Sequence, residues 1–309
     1  KWIEFHLNHE HYMQEYFGGV LAFPPFPVAL PWVLTALTWT LPLLAALLIG
    51  TCYVGHDATG RWWGRWRRHR ASVAGGGPLA LAADPKTADR RSLERLIVLG
   101  AVWPIALIAM PSTPVFGGTK HWFLAYPFML LIAGYGVQQL WRGLCQRWLS
   151  GDALSTRALA TVAAWLMVAL IALPSARATR GVHPHGTAYY NELIGGLPGA
   201  ADARMQRQFW GGATRDGLAA VNRRAPKGAR IWFHKCAWTA YVMYQREGWF
   251  RRDLSYAGKP HGTAMGLYHH QKDHDDYELE CMADYGVKAP VMQMSIEGVP
   301  VLSVYERPR

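Results

Sequence analysis

LPWVLTALTWTLPLLAALLIGTCY, from Leu30 to Tyr53, runs without a single Asp, Glu, Lys or Arg. A helix of about 20 mostly apolar residues crosses the hydrocarbon core of a bilayer, so this stretch predicts a membrane span. Pro31 near its start and Pro42 inside it predict a kink, because neighbouring groups re-satisfy the freed carbonyl. The pattern recurs outward. Between Glu15 and Arg61 the only charge of these four types is Asp57, and Leu96–Thr119, His121–Trp141 and Ala158–Ala176 hold none. Four helices are expected, at about 30–53, 94–112, 121–140 and 158–175. The alternative, buried helices of a soluble bundle, has to explain why these charges are missing from all four.

The cations sort themselves around these stretches. A net charge of +11 and a pI near 9.6 would point to nucleic acid if spread over a soluble domain. Instead Arg61, Arg65, Arg67, Arg68, Arg70, Lys86, Arg90, Arg91 and Arg95 sit together between two apolar segments. Cytoplasmic loops of membrane proteins carry such excesses, so loop 55–95 is expected inside and no nucleic-acid partner is expected. Pro111–Lys120 holds one cation and belongs outside, whereas Trp141–Arg157 holds Arg142, Arg147 and Arg157 and belongs inside. The alternation places residues 1–28 and 178–309 outside the cytoplasm, with the membrane region at 29–177. Phe23–Pro31 (FPPFPVALP) is too rich in proline for a regular helix and is expected to lie along the outer membrane surface. RWWGRWRRHR, Arg61–Arg70, has the composition to bind anionic headgroups of membrane lipids or nucleic acid, but reads first as a cytoplasmic retention signal with interfacial tryptophans.

After Arg177 charges recur every few residues and helix and strand patterns alternate. Arg204–Asn222 is expected as a helix, Ala229–His234 as a strand and Ala237–Glu247 as a helix closed by Gly248. Leu254–Tyr256 is a short strand. Asp275–Tyr285 is a helix with acids in its first turn, and Ala289–Ser295 and Val299–Glu306 are strands joined at Glu297-Gly298. The fold class is thus an α-helical membrane protein of four spans followed by a small α/β extracytoplasmic domain. Cys236 and Cys281 fall in that domain, where a bridge would persist, but spacing alone leaves pairing open.

Four clusters carry polar chemistry. FHLNHEHY (Phe5–Tyr12) places His6, His9, Glu10 and His11 outside, with donor atoms suited to a divalent metal or a phosphate. Its HEH lacks the HExxH spacing and gives no helical ligand face, so a polar loop lying over the membrane is the better reading of the two. FGGTKHW (Phe116–Trp122) sets Lys120 and His121 beside the membrane at phosphate height, where Lys120 either meets a ligand or snorkels to headgroups. HPHGTAYYNEL (His183–Leu193) offers Tyr189, Tyr190 and Asn191 for stacking on, or hydrogen bonding to, a sugar. An aromatic belt and a helix start is its plain alternative. HHQKDHDD (His269–Asp276) reads as a solvated loop. No Walker motif, GxGxxG or GxSxG occurs, and QFWGG at Gln208–Gly212 lacks the P-loop lysine.

FHLNHEHYMQEYFGG, PPFPVALPWVLTALT, FGGTKHWFLAYPFMLLIAG and HPHGTAYYNELIGGLPGAADARMQRQFWGG together resemble the C-terminal half of bacterial membrane glycosyltransferases. The group is that of protein mannosyltransferases and aminoarabinose transferases, of GT-C architecture, and the likeness reaches to about residue 215. It implies a multi-pass protein of the bacterial inner membrane. The activity implied is transfer of a sugar from a polyprenyl-phosphate donor to a lipid, glycan or protein acceptor on the extracytoplasmic face. Lys120 and His121 then become candidates for the donor phosphate, and His6, His9, Glu10, His11, Tyr189, Tyr190 and Asn191 for donor or acceptor. A divalent metal is left open. The family's acidic base lies in the first outer loop, ahead of the part matched here. The chain begins at Lys1 rather than Met and reads as cut from a longer protein, so it is expected to be inactive alone and no catalytic residue is assigned. A membrane-anchored scaffold or receptor displaying the α/β domain is the competing reading.

Overall fold

The computed structural model describes residues 13–75, 85–115, 117–148, 154–209, 211–271 and 275–308. The chain divides into two compact units. One comprises Val28–Met110 and Thr119–Ala178, and the other Lys1–Pro27, Pro111–Gly118 and Thr179–Arg309.

The first unit is helical, with α1 (Leu30–Thr38), α2 (Leu41–Gly75), α3 (Pro85–Ile108), α4 (Tyr126–Trp148) and α5 (Leu154–Val182). Among the described residues, three stretches are long and apolar enough to cross a membrane: Leu41–Gly60, Gly118–Arg147 and Ser155–Val182. Four were expected, and the stretch at 94–112 is not among these three. The segment expected at 94–112 belongs to α3, which starts in the charged sequence PKTADRRSLER, carries Pro104 inside it and stops at Ile108. Its uncharged part begins only at Leu96 and is shorter than those of the other three. The span expected at 30–53 is corrected, because the helix breaks at Trp39, whose backbone is extended (φ −94°, ψ 142°). Pro42 then takes the second position of α2, where its missing N–H leaves no helical bond unmade. α2 does not stop at Tyr53 but runs on through Asp57 and the arginines to Gly75. Asp57 therefore lies within an apolar helix, where it accepts a 2.7 Å hydrogen bond from the Tyr135 hydroxyl of α4.

Small residues set the closest packing in this unit. A Cβ built on Gly136 would stand 2.5 Å from Gly50 N and 2.6 Å from Ala46 O. The α2 and α4 backbones thus touch, the close approach that small residues four apart permit. Phe128 packs its ring on Gly100 of α3, where a Cβ would come within 2.6 Å. Thr40, at the α1–α2 break, lies 2.9 Å from Ser175 of α5, hydroxyl to hydroxyl.

The second unit is α/β, and it contains α6 (Gly196–Asp202). A hairpin of β1 (Gln14–Tyr16) and β2 (Gly19–Leu21) turns at Phe17 (φ 45°) and Gly18 (φ 78°). Two positive φ values are what a two-residue hairpin loop needs. The main sheet has β3 (Arg230–Phe233), β4 (Ser255–Ala257), β5 (Met265–His269), β6 (Met292–Ile296) and β7 (Val299–Glu306) in the order β4-β3-β5-β7-β6. β3 is parallel to β4 and β5, and β7 runs antiparallel to β5 and β6. Alternation along the strands gives two faces. On one, Trp232, Tyr268 and Tyr305 pack with Cys281 and Tyr285 of α9 (Asp275–Tyr285). On the other, Leu267, Leu302 and Val304 crowd Gly217 of α7 (Thr214–Arg224), whose absent Cβ would stand 2.7 Å from Leu267. Phe233 on that same face meets Tyr241 of α8 (Trp238–Arg246) edge-on at 5.8 Å.

Three sequence expectations shift here. The helix expected over Arg204–Asn222 starts only at Thr214, because Gln206 and Gln208 extend into buried side-chain-to-backbone bonds. β5 was not expected, since its sequence MGLYH runs into the histidine-rich stretch that reads as a solvated loop. That reading is wrong for His269, which is fully buried at the end of β5. Residues 272–274 lie outside the described part. Cys236 and Cys281 are unbridged. Cys281 sits among the aromatics under α9, whereas Cys236 meets Thr214 and Tyr241 on the opposite face of the sheet.

Candidate functional site

The FGGTKHW motif straddles the boundary between the units, which falls between Gly118 and Thr119. Gly117 (φ 79°) and Gly118 (φ 65°) take left-handed backbone, and Gly118 lies so close to the Phe209 ring that a Cβ would come within 2.9 Å. A 3-10 turn over Gly118–Ala125 follows and leads into α4. Trp122 anchors it: the indole is fully buried and its Nε1 donates to Thr35 Oγ1 at 2.8 Å. Thr35 in turn donates to Pro31 O at 2.7 Å. With Trp122 fixed inward, Lys120 is exposed and His121 half-buried at the head of an apolar helix. Four residues on, Tyr126 stacks edge-on with Trp39 at 5.1 Å. Its hydroxyl is buried and meets no hydrogen-bond partner among the described residues. A buried hydroxyl left unmatched is unusual and marks a place where a ligand's polar atom gains more than it would in water. Sequence gave no sign of Tyr126, since a tyrosine in an apolar run reads as interface decoration.

Tyr189, Tyr190 and Asn191 lie together in the α/β unit, apart in sequence from Lys120 and His121 and in the other unit. Tyr190 is buried, and its hydroxyl donates to Gln206 O at 2.8 Å. Burial, with the Glu15 carboxylate nearby, pushes its phenol well above the usual range. Asn191 is buried too, and its Oδ1 accepts from Leu193 N–H at 3.0 Å while its main-chain oxygen accepts from Gly196 N–H at 2.9 Å. Both residues thus hold the chain after α5 in shape. Tyr189 differs: it is half-buried, and burial first, then the Glu192 and Glu297 carboxylates, raise its phenol. A neutral phenol beside two carboxylates suits the hydroxyls of a polyol and repels a phosphate. His6, His9, Glu10 and His11 lie outside the described residues.

A further cluster was not legible in sequence. The carboxyl ends of β3 and β5 bring His234, His269 and Thr214 together. His269 Nδ1 is 2.6 Å from His234 O, and its Nε2 is 3.1 Å from Thr214 Oγ1. A carbonyl only accepts, so the network assigns the ring proton to Nδ1. Burial pushes His269 down to about 4, so the imidazole is neutral at pH 7. Cys236 beside Thr214 has its thiol pushed up by burial. A protonated thiol and a buried neutral histidine make a structural tie between strand ends, not an activated nucleophile. Among the described residues no three His, Cys, Asp or Glu side chains are placed to hold a metal.

No family model, no curated protein and no solved structure matches this chain.

Proposed function

We propose that this chain carries the C-terminal part of an integral membrane glycosyltransferase that moves a sugar from a polyprenyl-phosphate donor to a lipid, glycan or protein acceptor. Lys120 carries the reading. It is an exposed cation on a turn locked by Trp122, at the head of an apolar helix. A prenyl tail stays in the bilayer, so its phosphate has to be met at that depth. There a cation stabilises the charge that develops on the departing phosphate. His121 shares this role, and Tyr189, beside two carboxylates, suits the neutral sugar or acceptor.

Charge placement supports the orientation. Arginines follow the apolar part of α2, precede that of α3, close α4 at Arg142 and Arg147, and open α5 at Arg157. Alternating crossings then group the arginine-rich ends of α2, α3 and α4 on the cytoplasmic side, whereas α5 carries Arg157 at one end and Arg177 and Arg180 at the other. In this reading α3 is the fourth crossing, with its charged first turns among the headgroups, and residues 178–309 are extracytoplasmic in a bacterial inner membrane.

The test is Lys120→Ala in the protein embedded in its native membrane, assayed with a polyprenyl-phosphate sugar. Transfer should fall about 10²-fold, the usual effect of removing one charge-stabilising group. Turnover equal to the parent's would leave the chain as a scaffold displaying its α/β domain.

A further inference from the structure

α8 buries Tyr241 and Tyr244 on its inner side. The outer side of such a helix is normally charged or polar. Here it presents Trp238, Val242 and Met243, which are 58%, 45% and 43% exposed, and Trp249 just beyond the helix adds a fourth exposed apolar side chain. Isolated exposed hydrophobics need no explanation, but Trp238, Val242 and Met243 fall within one and a half turns of a single helix. Their rim is cationic: Lys235 precedes the helix, Arg246 ends it and Arg252 follows, all exposed. Arg215 lays its guanidinium over the Trp249 ring at 3.7 Å. Glu247 on this segment and Asp216 on α7, which lies near Tyr244, are the acids by this edge, while Asp253 is paired with Arg251.

The geometry points to an anionic bilayer surface as the occupant of this face, with Trp238, Val242 and Met243 entering the headgroup region and Lys235, Arg246 and Arg252 meeting lipid phosphates. Tryptophan and a basic flank around a short apolar face are the signature of an interfacial helix. The charge complementarity selects lipid over a second copy of this chain, whose matching face would carry the same cations. The unit begins at Thr179, inside the apolar helix α5, so no linker separates that helix from the domain. This docking rests on the reading that the helical unit spans a membrane.

The experiment places a fluorophore on Val242→Cys in the full chain, with Cys52 and Cys145 replaced by serine. The chain is reconstituted into phosphatidylcholine vesicles with or without phosphatidylglycerol and probed with a lipid-borne quencher. Leu170→Cys in α5 and Gln293→Cys on the far edge strand are the reference positions, both exposed in the isolated protein. Expected are quenching at 170 in either vesicle, none at 293, and about two-fold quenching at 242 that needs phosphatidylglycerol and weakens in Arg246→Glu or in high salt. Quenching at 170 without quenching at 242, or quenching at 242 that ignores lipid charge, overturns the docking alone. Protection of 242 that follows protein concentration instead assigns the face to a second copy. Absence of quenching at 170 overturns the membrane reading beneath it.

Discussion

Gly50 and Gly136 face each other across the contact of α2 with α4 with no side chain between them. A Cβ on Gly50 would stand 1.9 Å from Ile132 O, and one on Gly136 would stand 2.5 Å from Gly50 N. Backbone meets backbone there, so no rotamer change relieves an added atom. Without a hydrophobic drive between helices in lipid, such close packing holds a bundle together.

Gly50→Ala is therefore expected to separate the two helices and cost about 3 kcal/mol or more, at or beyond the upper end for overpacking. Gly134→Ala, with open space around its Cβ, is the matched control. Thermal unfolding in detergent reads the difference. Equal midpoints for the two variants contradict the contact.

Tyr126→Phe removes the buried hydroxyl and leaves its edge-on packing with Trp39. Because that oxygen meets no partner among the described residues, folding should be unchanged or slightly improved. The proposed transfer from a lipid-linked sugar should nevertheless fall about tenfold, the worth of one hydrogen bond to a ligand. A variant that loses stability but keeps its specific activity puts the hydroxyl in the scaffold instead.

His269 sets a pH limit on the α/β unit. Its ordinary value is 6.5, and burial lowers it to about 4 in the folded protein. The unfolded chain thus binds the extra proton between these values, and stability declines as pH falls from 6.5 towards 4. The loss amounts to roughly 3 kcal/mol over that window, while above pH 6.5 this residue adds no slope. Hydrogen exchange of the β5 amides, corrected for intrinsic rate, should show the decline in the parent protein and a flatter profile in His269→Gln.

Cys236 and Cys281 should resist a water-soluble maleimide in the native protein. Both are buried, and burial raises both thiols, Cys281 to about 12. The thiolate is the reacting species, so exposure and ionisation act together. In denaturant without reductant both should label. If they label only after reduction, the two are bridged and the placement on opposite faces of the sheet is wrong.

The absence of charge over long runs was readable without coordinates, because solvation of a charge in hydrocarbon is costly whatever the neighbours are. The uncharged stretches inside Leu41–Gly60 and Ser155–Val182 were legible as apolar helices on that ground, but the ends of those helices were not. Local turn chemistry was equally legible: Glu297-Gly298 joins two strands, and Asp275–Tyr285 forms the helix its acids and Gly286 delimit. Lys120 was visible as a cation beside an apolar run. What only the tertiary structure decided depends on partners distant in the chain. Trp122 becomes an anchor because Thr35 receives its N–H, and Asp57 stays in α2 because Tyr135 reaches it. His269 leaves a hydrophilic stretch for the core because its Nδ1–H donates to the His234 carbonyl while Thr214 Oγ1 lies 3.1 Å from its Nε2. A side chain's polarity is written in the sequence. Whether that polarity is met inside or outside the fold is set by which atoms arrive beside it.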